Sequence, residues 1–240
     1  MAAGPDRKRL TLGGLDLAVI DPHERDTAYI FDEIFTEAIY DHPRFDMGPG
    51  ATIVDVGANI GLYSIWAARR YRPATILAFE ASPATYGYLV ENVGRHVDAA
   101  VTRVEKVNCA VSDVAGKVLD LHQAPFTSGI STVLDEKSVP WVETLRKSGE
   151  LITHKVQTTT LSREIAARGI GRIDLLKIDV EGHFLAVLAG IQPADMAKVH
   201  RIALEADYLE ALGVHEDDVH ATLRRYGFAT ETRGHQTLYA

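Results

Sequence analysis

The chain has 240 residues, 46% of them hydrophobic, which suits one sizeable domain with a buried core. A formal net charge of −8, from 33 acidic and 25 basic residues, argues against a nucleic-acid or anionic-membrane partner held mainly by charge. The single cysteine, Cys109, excludes an intramolecular disulfide, and neither a signal-like start nor a membrane-spanning apolar run is seen, so a cytoplasmic protein is expected.

In chain order, residues 10–20 place two short apolar runs around Gly13-Gly14 and predict a hairpin. Residues 27–40 repeat Tyr29, Ile30, Ile34, Phe35, Ala38 and Ile39 near the helical period, until Pro43, Pro49 and Gly50 break the chain. Residues 1–50 are therefore read as an N-terminal elaboration on the substrate side, and 51–240 as the main domain. Strands are expected at 52–56, 75–80, 103–111, 173–179 and 199–205. Helices are expected at 60–70, 83–95, 161–168, 182–190 and 215–226. That alternation predicts an α/β fold, a mostly parallel sheet with helices on both faces. Two last candidates, 227–232 and 236–239, flank Gly234-His235 and suggest an antiparallel finish at the sheet edge. Residues 122–150 break the rhythm and are read as an insertion, either covering a substrate or running over the surface.

The most informative stretch is Thr52-Ile53-Val54-Asp55-Val56-Gly57-Ala58-Asn59-Ile60-Gly61, a buried strand running through a glycine turn into a helix. Such turns bind nucleotide-like ligands in open α/β sheets. Gly57 leaves no side chain between backbone and ligand, and Gly61 lets the helix sit close to the strand. Helix-start N–H groups around Asn59, Ile60 and Gly61 suit a carboxylate or phosphate. Asp55, at the end of an apolar strand, suits a ligand that also carries positive charge. No Lys-Ser or Lys-Thr pair follows, so a P-loop is excluded, and the dinucleotide spacing G-x-G-x-x-G is absent. Glu80 ends the next strand at the spacing of a ribose-binding carboxylate, followed by Ala81 and by Ser82-Pro83 as a helix start. In Asn108-Cys109-Ala110-Val111-Ser112-Asp113, Asp113 or its neighbours suit an adenine amino group while Val111 covers the ring.

Four ordered segments resemble the FkbM family of S-adenosylmethionine-dependent methyltransferases: Asp55 to Gly61, Phe79 to Pro83, Asn108 to Asp113, and Leu175-Leu176-Lys177-Ile178-Asp179-Val180-Glu181-Gly182. The similarity spans roughly residues 50–207. It implies a Rossmann-like class I methyltransferase fold, a seven-stranded sheet whose last strand is antiparallel. It also implies S-adenosylmethionine as methyl donor, S-adenosylhomocysteine as product, and a small-molecule acceptor methylated most often on oxygen. On this reading Glu80 takes the ribose hydroxyls, Asp55 or a water it holds the amino group, Asn59-Ile60-Gly61 the carboxylate, and Ala110, Val111 and Asp113 the adenine.

Candidate bases cluster from Lys177 to His183, with Asp179 at a strand's carboxyl end and Glu181 at the next helix mouth. Glu205 ends the following strand, so it and Asp179 are expected to flank one crevice, and Asp179 is expected to touch the cofactor as well. Two acids without a definite third ligand are a weak metal signal, and no metal site is assigned. The family usually continues Glu-Gly with Ala-Glu. Here His183-Phe184 stand instead, and His183 is either a site base or structural. His154, His200, His215, His220 and His235 lack ligand spacing, and Cys109 is read as core. Residues 27–45 and 122–141 are expected to cover the acceptor. The rival readings are N-methylation, an NAD(P)-dependent oxidoreductase and a non-catalytic nucleotide-binding module.

Overall fold

The computed structural model describes residues 8–19, 25–43, 45, 47–72, 74–233 and 237–240. Strands β1 (Lys8–Leu12) and β2 (Leu15–Val19) form the expected hairpin about Gly13-Gly14. Residue 20 and the His235 turn lie outside the described residues. Helix α1 (Arg25–Phe31) passes into a π-helical turn, Asp32–Thr36, and the helix expected to reach 40 stops there. Ala38 takes a left-handed φ of 53°, which turns the following segment back across the sheet.

The main sheet contains β3 (Ala51–Val56), β4 (Ala74–Phe79), β5 (Arg103–Val107), β10 (Leu175–Ile178), β11 (Ile202–Glu205), β12 (Glu231–Arg233) and β13 (Thr237–Tyr239), in the order β12-β13-β11-β10-β3-β4-β5. Strands β3, β4, β5, β10 and β11 pair in parallel, and β13 runs antiparallel to both its neighbours. The crossovers are α2 (Leu62–Arg70), α3 (Pro83–His96), α5 (Leu161–Arg168), α6 (Phe184–Ala189), the short α7 (Pro193–Met196) and α8 (Leu209–Leu212), and α9 (Glu216–Arg225). Ser82 caps α3, its hydroxyl accepting from the Thr85 amide at 3.3 Å, and Pro83 opens the helix as expected.

One expectation fails here. The strand expected at 103–111 ends at Val107, where the side chain of Asn108 donates to the Glu80 carbonyl at 2.8 Å. The chain then starts a second sheet with β6 (Ala110–Val111), β7 (Val118–Gln123), β8 (Ser131–Thr132) and β9 (Ile152–Thr159), in the order β6-β9-β7-β8. Residues 122–150, read as an insertion, hold β8 and α4 (Pro140–Ser148) between the two long strands of this sheet. Strand β9 has no counterpart among the elements expected from sequence.

Strand pleating sorts the core into two layers. Ile53 and Leu175 face a cluster with the hairpin, α2 and Tyr40; Val54, Val56, Leu176 and Ile178 face the other, with Leu161, Phe184 and Leu223. The hairpin is tied to the first layer by Asn92 of α3, fully buried. Its amide accepts from the Ala18 N–H at 2.7 Å and donates to the carbonyls of Ala18 at 3.0 Å and Ile60 at 2.9 Å. Replacing Asn92 by Ala strands three buried backbone groups. Urea unfolding should show a loss of about 3 kcal/mol.

Candidate active site

A cavity of about 960 Å³ opens at the carboxyl ends of β3, β4, β10 and β11, the place where open α/β sheets bind ligands. Val56, Gly57, Asn59, Ile60, Glu80, Ala81, Ala110, Val111, Asp179, Glu181, His183 and Glu205 line it, as do Tyr40, Tyr63, Lys177 and Asp207. Asp55, Gly61 and Asp113 do not.

Asp55 is a correction with a clear cause. It shares the pleat of Ile53, so it points down toward α2 and away from the strand tip, with no exposed surface. Ser64 Oγ donates to it at 2.7 Å, and the ammonium of Lys177, its register partner on β10, lies 3.5 Å away. Asp113 is exposed; it accepts from Ser112 Oγ at 3.1 Å, which holds its carboxyl below the ordinary range, and pairs with Lys117. Gly61 has a packing role toward α3, since a Cβ there would meet Leu89 at 2.9 Å and Val93 at 3.1 Å. Gly57 (φ 82°) is required by β10, because a Cβ would come 1.7 Å from the Asp179 carbonyl oxygen.

All but the Ile60 amide of this turn are spent internally among the described residues. Gly57 and Ala58 donate to the Phe79 carbonyl, Gly61 to the Ala58 carbonyl, and Asn59 to Glu80 Oε2 at 2.9 Å. The amides of Asn59 and Gly61 are therefore not offered to a ligand carboxylate, and α2 begins only at Leu62. Asn59 adopts a left-handed φ of 49°, which asparagine tolerates, and its buried Oδ1 has no bond partner. Glu80 gains what the turn gives up: Oε2 accepts from Asn59 and Oε1 from the Ser82 amide at 2.8 Å. Burial nonetheless pushes its pKa up to about 7.

At the other end of the cavity, alternation brings Asp55, Lys177, Asp179 and Glu205 to one sheet face. Lys177 Nζ donates to the Gly57 carbonyl at 2.9 Å and to Asp179 Oδ2 at 3.1 Å. The rings of Tyr40 and Tyr63 cover it, with centroids 5.3 and 5.7 Å away. Asp179 and Asp55 keep the ammonium charged against its burial. Tyr40, 3% exposed, places its hydroxyl 3.2 Å from Asp179 Oδ2 and in closer contact with Glu205 Oε1. Carboxylate oxygens of Asp179, Glu205 and Asp207 lie within 4.8 Å of one another. Lys177 already supplies positive charge to this group and Tyr40 sits between two of its members, so no metal site is assigned. Burial and the Asp179 charge raise Asp207 to about 6 and Glu205 well above the ordinary carboxyl range.

Glu181 sits on a left-handed turn, φ 49°, with its carbonyl accepting from Thr132 Oγ1 at 2.7 Å. Burial and Asp179 push it up to about 8. Trp141 Nε1 donates to Tyr208 Oη at 3.3 Å, and Tyr208 in turn bonds Glu181, so α4 braces this carboxyl. His183 bonds Ser112 Oγ at 3.0 Å, next to Val111, and burial lowers its pKa. It therefore sits against the Ala110–Val111 wall. Cys109 lines the cavity half-buried, its thiol pushed up to about 12 by burial, which leaves it inert. His154, His200, His215 and His220 lie outside the cavity walls.

The Methyltransferase FkbM domain profile matches residues 55–229. The chain belongs to the FkbM methyltransferase family. It is 35% identical over 195 residues to Methyltransferase sdnD of Sordaria araneosa, covering 74% of this chain and 73% of that one. It is 34% identical over 220 residues to the 31-O-demethyl-FK506 methyltransferase FkbM of Streptomyces tacrolimicus, covering 83% and 81%. It is also 30% identical over 234 residues to the AMB antimetabolite synthetase AmbE of Pseudomonas aeruginosa, covering 87% of this chain and 11% of that protein. The seven-stranded sheet with β13 antiparallel is the Rossmann-like class I methyltransferase fold. Among the described residues, no helix of this FkbM-family methyltransferase is long and apolar enough to cross a membrane.

The raised carboxyls give the fold a pH dependence of definite sign. Glu80 and Glu181, at about 7 and about 8 against an ordinary 4.5, stabilise the fold fully below about pH 4.5 and lose that contribution as pH rises through their folded values. Urea unfolding should show stability falling from about pH 5 to about pH 8, and Glu181→Gln should flatten the upper part of that slope.

Proposed function

We propose that this chain transfers a methyl group from S-adenosylmethionine to a hydroxyl oxygen of a small-molecule acceptor, in specialised-metabolite, sugar or lipid biosynthesis. The observation that carries the reading is the clamped carboxylate of Glu80. Two backbone amides fix its plane at the cavity wall, and each oxygen keeps a lone pair for one hydroxyl of a ribose diol. Asn59 Oδ1, buried without a partner, is an acceptor for the donor's ammonium group, in the place expected of Asp55 from sequence. Ala110 and Val111 provide an apolar wall for adenine. The carboxyl oxygens of Asp179, Glu181, Glu205 and Asp207 line the rest of the cavity, an electron-rich surround that suits a sulfonium.

A dinucleotide is disfavoured because the turn lacks the G-x-G-x-x-G spacing that brings the backbone against a pyrophosphate. S-adenosylmethionine supplies an activated methyl carbon on sulfur. The protein then has to align an oxygen, exclude water and remove one proton. Asp179 is the group that takes this proton. Its Oδ2 is held by Lys177 and Tyr40, and its Oδ1 takes no bond among the described residues. The acceptor enters between Tyr29, Ile30 and Glu33 of the N-terminal segment and Thr127 to Ser131 on the connection from β7 into β8, which form the remaining rim. The relative named for 31-O-demethyl-FK506 supports oxygen as the methylated atom.

Calorimetry with S-adenosylhomocysteine should show binding by the wild type and at least tenfold weaker binding by Glu80→Ala, a loss of about 1.5–3 kcal/mol for hydrogen bonds to a charged group. Undiminished affinity would contradict the assignment. With methyl-labelled donor and an extract of the source organism, Asp179→Asn should lower labelling on the order of 100-fold. Mass spectrometry of the labelled product would distinguish O- from N-methylation.

A further inference from the structure

Tyr40 poses a problem of proton counting. Its hydroxyl contacts Asp179 Oδ2 and Glu205 Oε1, yet a phenol carries one proton and donates once. Two ionised carboxylates cannot both be satisfied by it. Both contacts become hydrogen bonds when one carboxyl is itself protonated and donates to the phenol oxygen, while the phenol donates to the other.

The surroundings decide which carboxyl holds that proton. Lys177 Nζ donates to the same Asp179 oxygen that Tyr40 contacts, so positive charge is placed on the Asp179 side. Glu205 makes no ion pair among the described residues and stands near the like charges of Asp179 and Asp207. Other titratable groups acting on the pair are Tyr29 from α1, Tyr239 from β13, Asp55 from β3 and Glu181 after β10. None of these places a second cation beside Glu205. Burial raises the Glu205 pKa in the same direction.

We propose that Tyr40 joins Glu205 and Asp179 into one hydrogen-bonded unit holding a single acid proton, with Glu205 as its holder, Asp179 as the free base and Tyr40 as the positioning residue. The role of Asp179 as base rests on the methyl-transfer reading; the proton count does not. When Asp179 takes the acceptor's proton the unit holds two, and one must leave to solvent before the next turnover. Tyr40 is itself held from several sides. Tyr239 Oη donates to the neighbouring Ile39 carbonyl, Asp41 accepts from Arg70 at 3.0 Å and Tyr71 at 2.9 Å, and the Tyr40 ring packs edge-on against Tyr63 at 5.0 Å.

Carboxyl carbon NMR of protein labelled with ¹³C-Asp and ¹³C-Glu tests this, with Glu205→Gln and Asp179→Asn assigning the two signals. In the wild type at pH 7, Glu205 should read as a neutral acid and Asp179 as a carboxylate. Tyr40→Phe removes one more hydrogen bond from the protonated unit than from the unprotonated one, so the Glu205 midpoint should fall by roughly one pH unit. A phenol acting only as an outside donor stabilises the charged form, and its loss would move the midpoint up. Both groups ionised at pH 7 in the wild type, or a midpoint that stays or rises in Tyr40→Phe, overturns the proposal. The wild-type spectrum decides the matter even if Tyr40→Phe does not fold. Calorimetry with S-adenosylhomocysteine on the wild type separates the two readings: an intact unit in a protein that binds no such ligand sinks the methyl-transfer assignment alone.

Discussion

A lysine ammonium with almost no access to water sets the geometry of this site. Lys177 lies in the middle of β10 and reaches β3 through the Gly57 carbonyl and Asp55, its own strand tip through Asp179, and the rings of Tyr40 and Tyr63 through their faces. A charge in that position is costly to desolvate, and it is tolerated only where oppositely charged and polar atoms surround it. Asp55 belongs to that surrounding shell. The most conspicuous residue of the glycine-turn motif thus lies beneath the cavity, and Glu80 and Asn59 are the ones that line it.

What is legible in the chain follows from physics of short range. Alternating apolar strands and capped helices announce the parallel sheet, and the tips of β3, β4, β10 and β11 announce Glu80, Asp179 and Glu205 as residues of one cleft. Asp55 deceives because nearness to a strand tip suggests a ligand contact, whereas pleat parity decides the matter. Counting by twos from Ile53 turns it toward α2. Tyr40 carries no local signal, since its partners lie 139 and 165 residues away in sequence. Lys177 does carry one: a charge inside Leu175-Leu176-Lys177-Ile178, set opposite an acid within a neighbouring apolar strand, demands a buried pair. Asp207 and the second sheet lie beyond the strand tips, where the alternation of apolar runs gives no guidance.

Asp179, Glu181, Glu205 and Asp207 approach one another beside the buried Lys177 ammonium, and the raised pKa values of Glu181, Glu205 and Asp207 are the direct result of burial and of that crowding. The two ends of the cavity differ in kind. One is a hydrogen-bonded clamp built on Glu80, with His183 and Ser112 beside the Ala110–Val111 wall; the other is a cluster of acids roofed by tyrosines.

The family profile begins at Asp55, whereas Tyr40 and the hairpin tied to Asn92 precede it. The wall of this cavity is therefore assembled from both sides of the profile's first position, with Tyr40 supplied from before it and Asp179 and Glu205 from within it. A graft limited to residues 55–229 would carry the floor of this cavity without its ceiling.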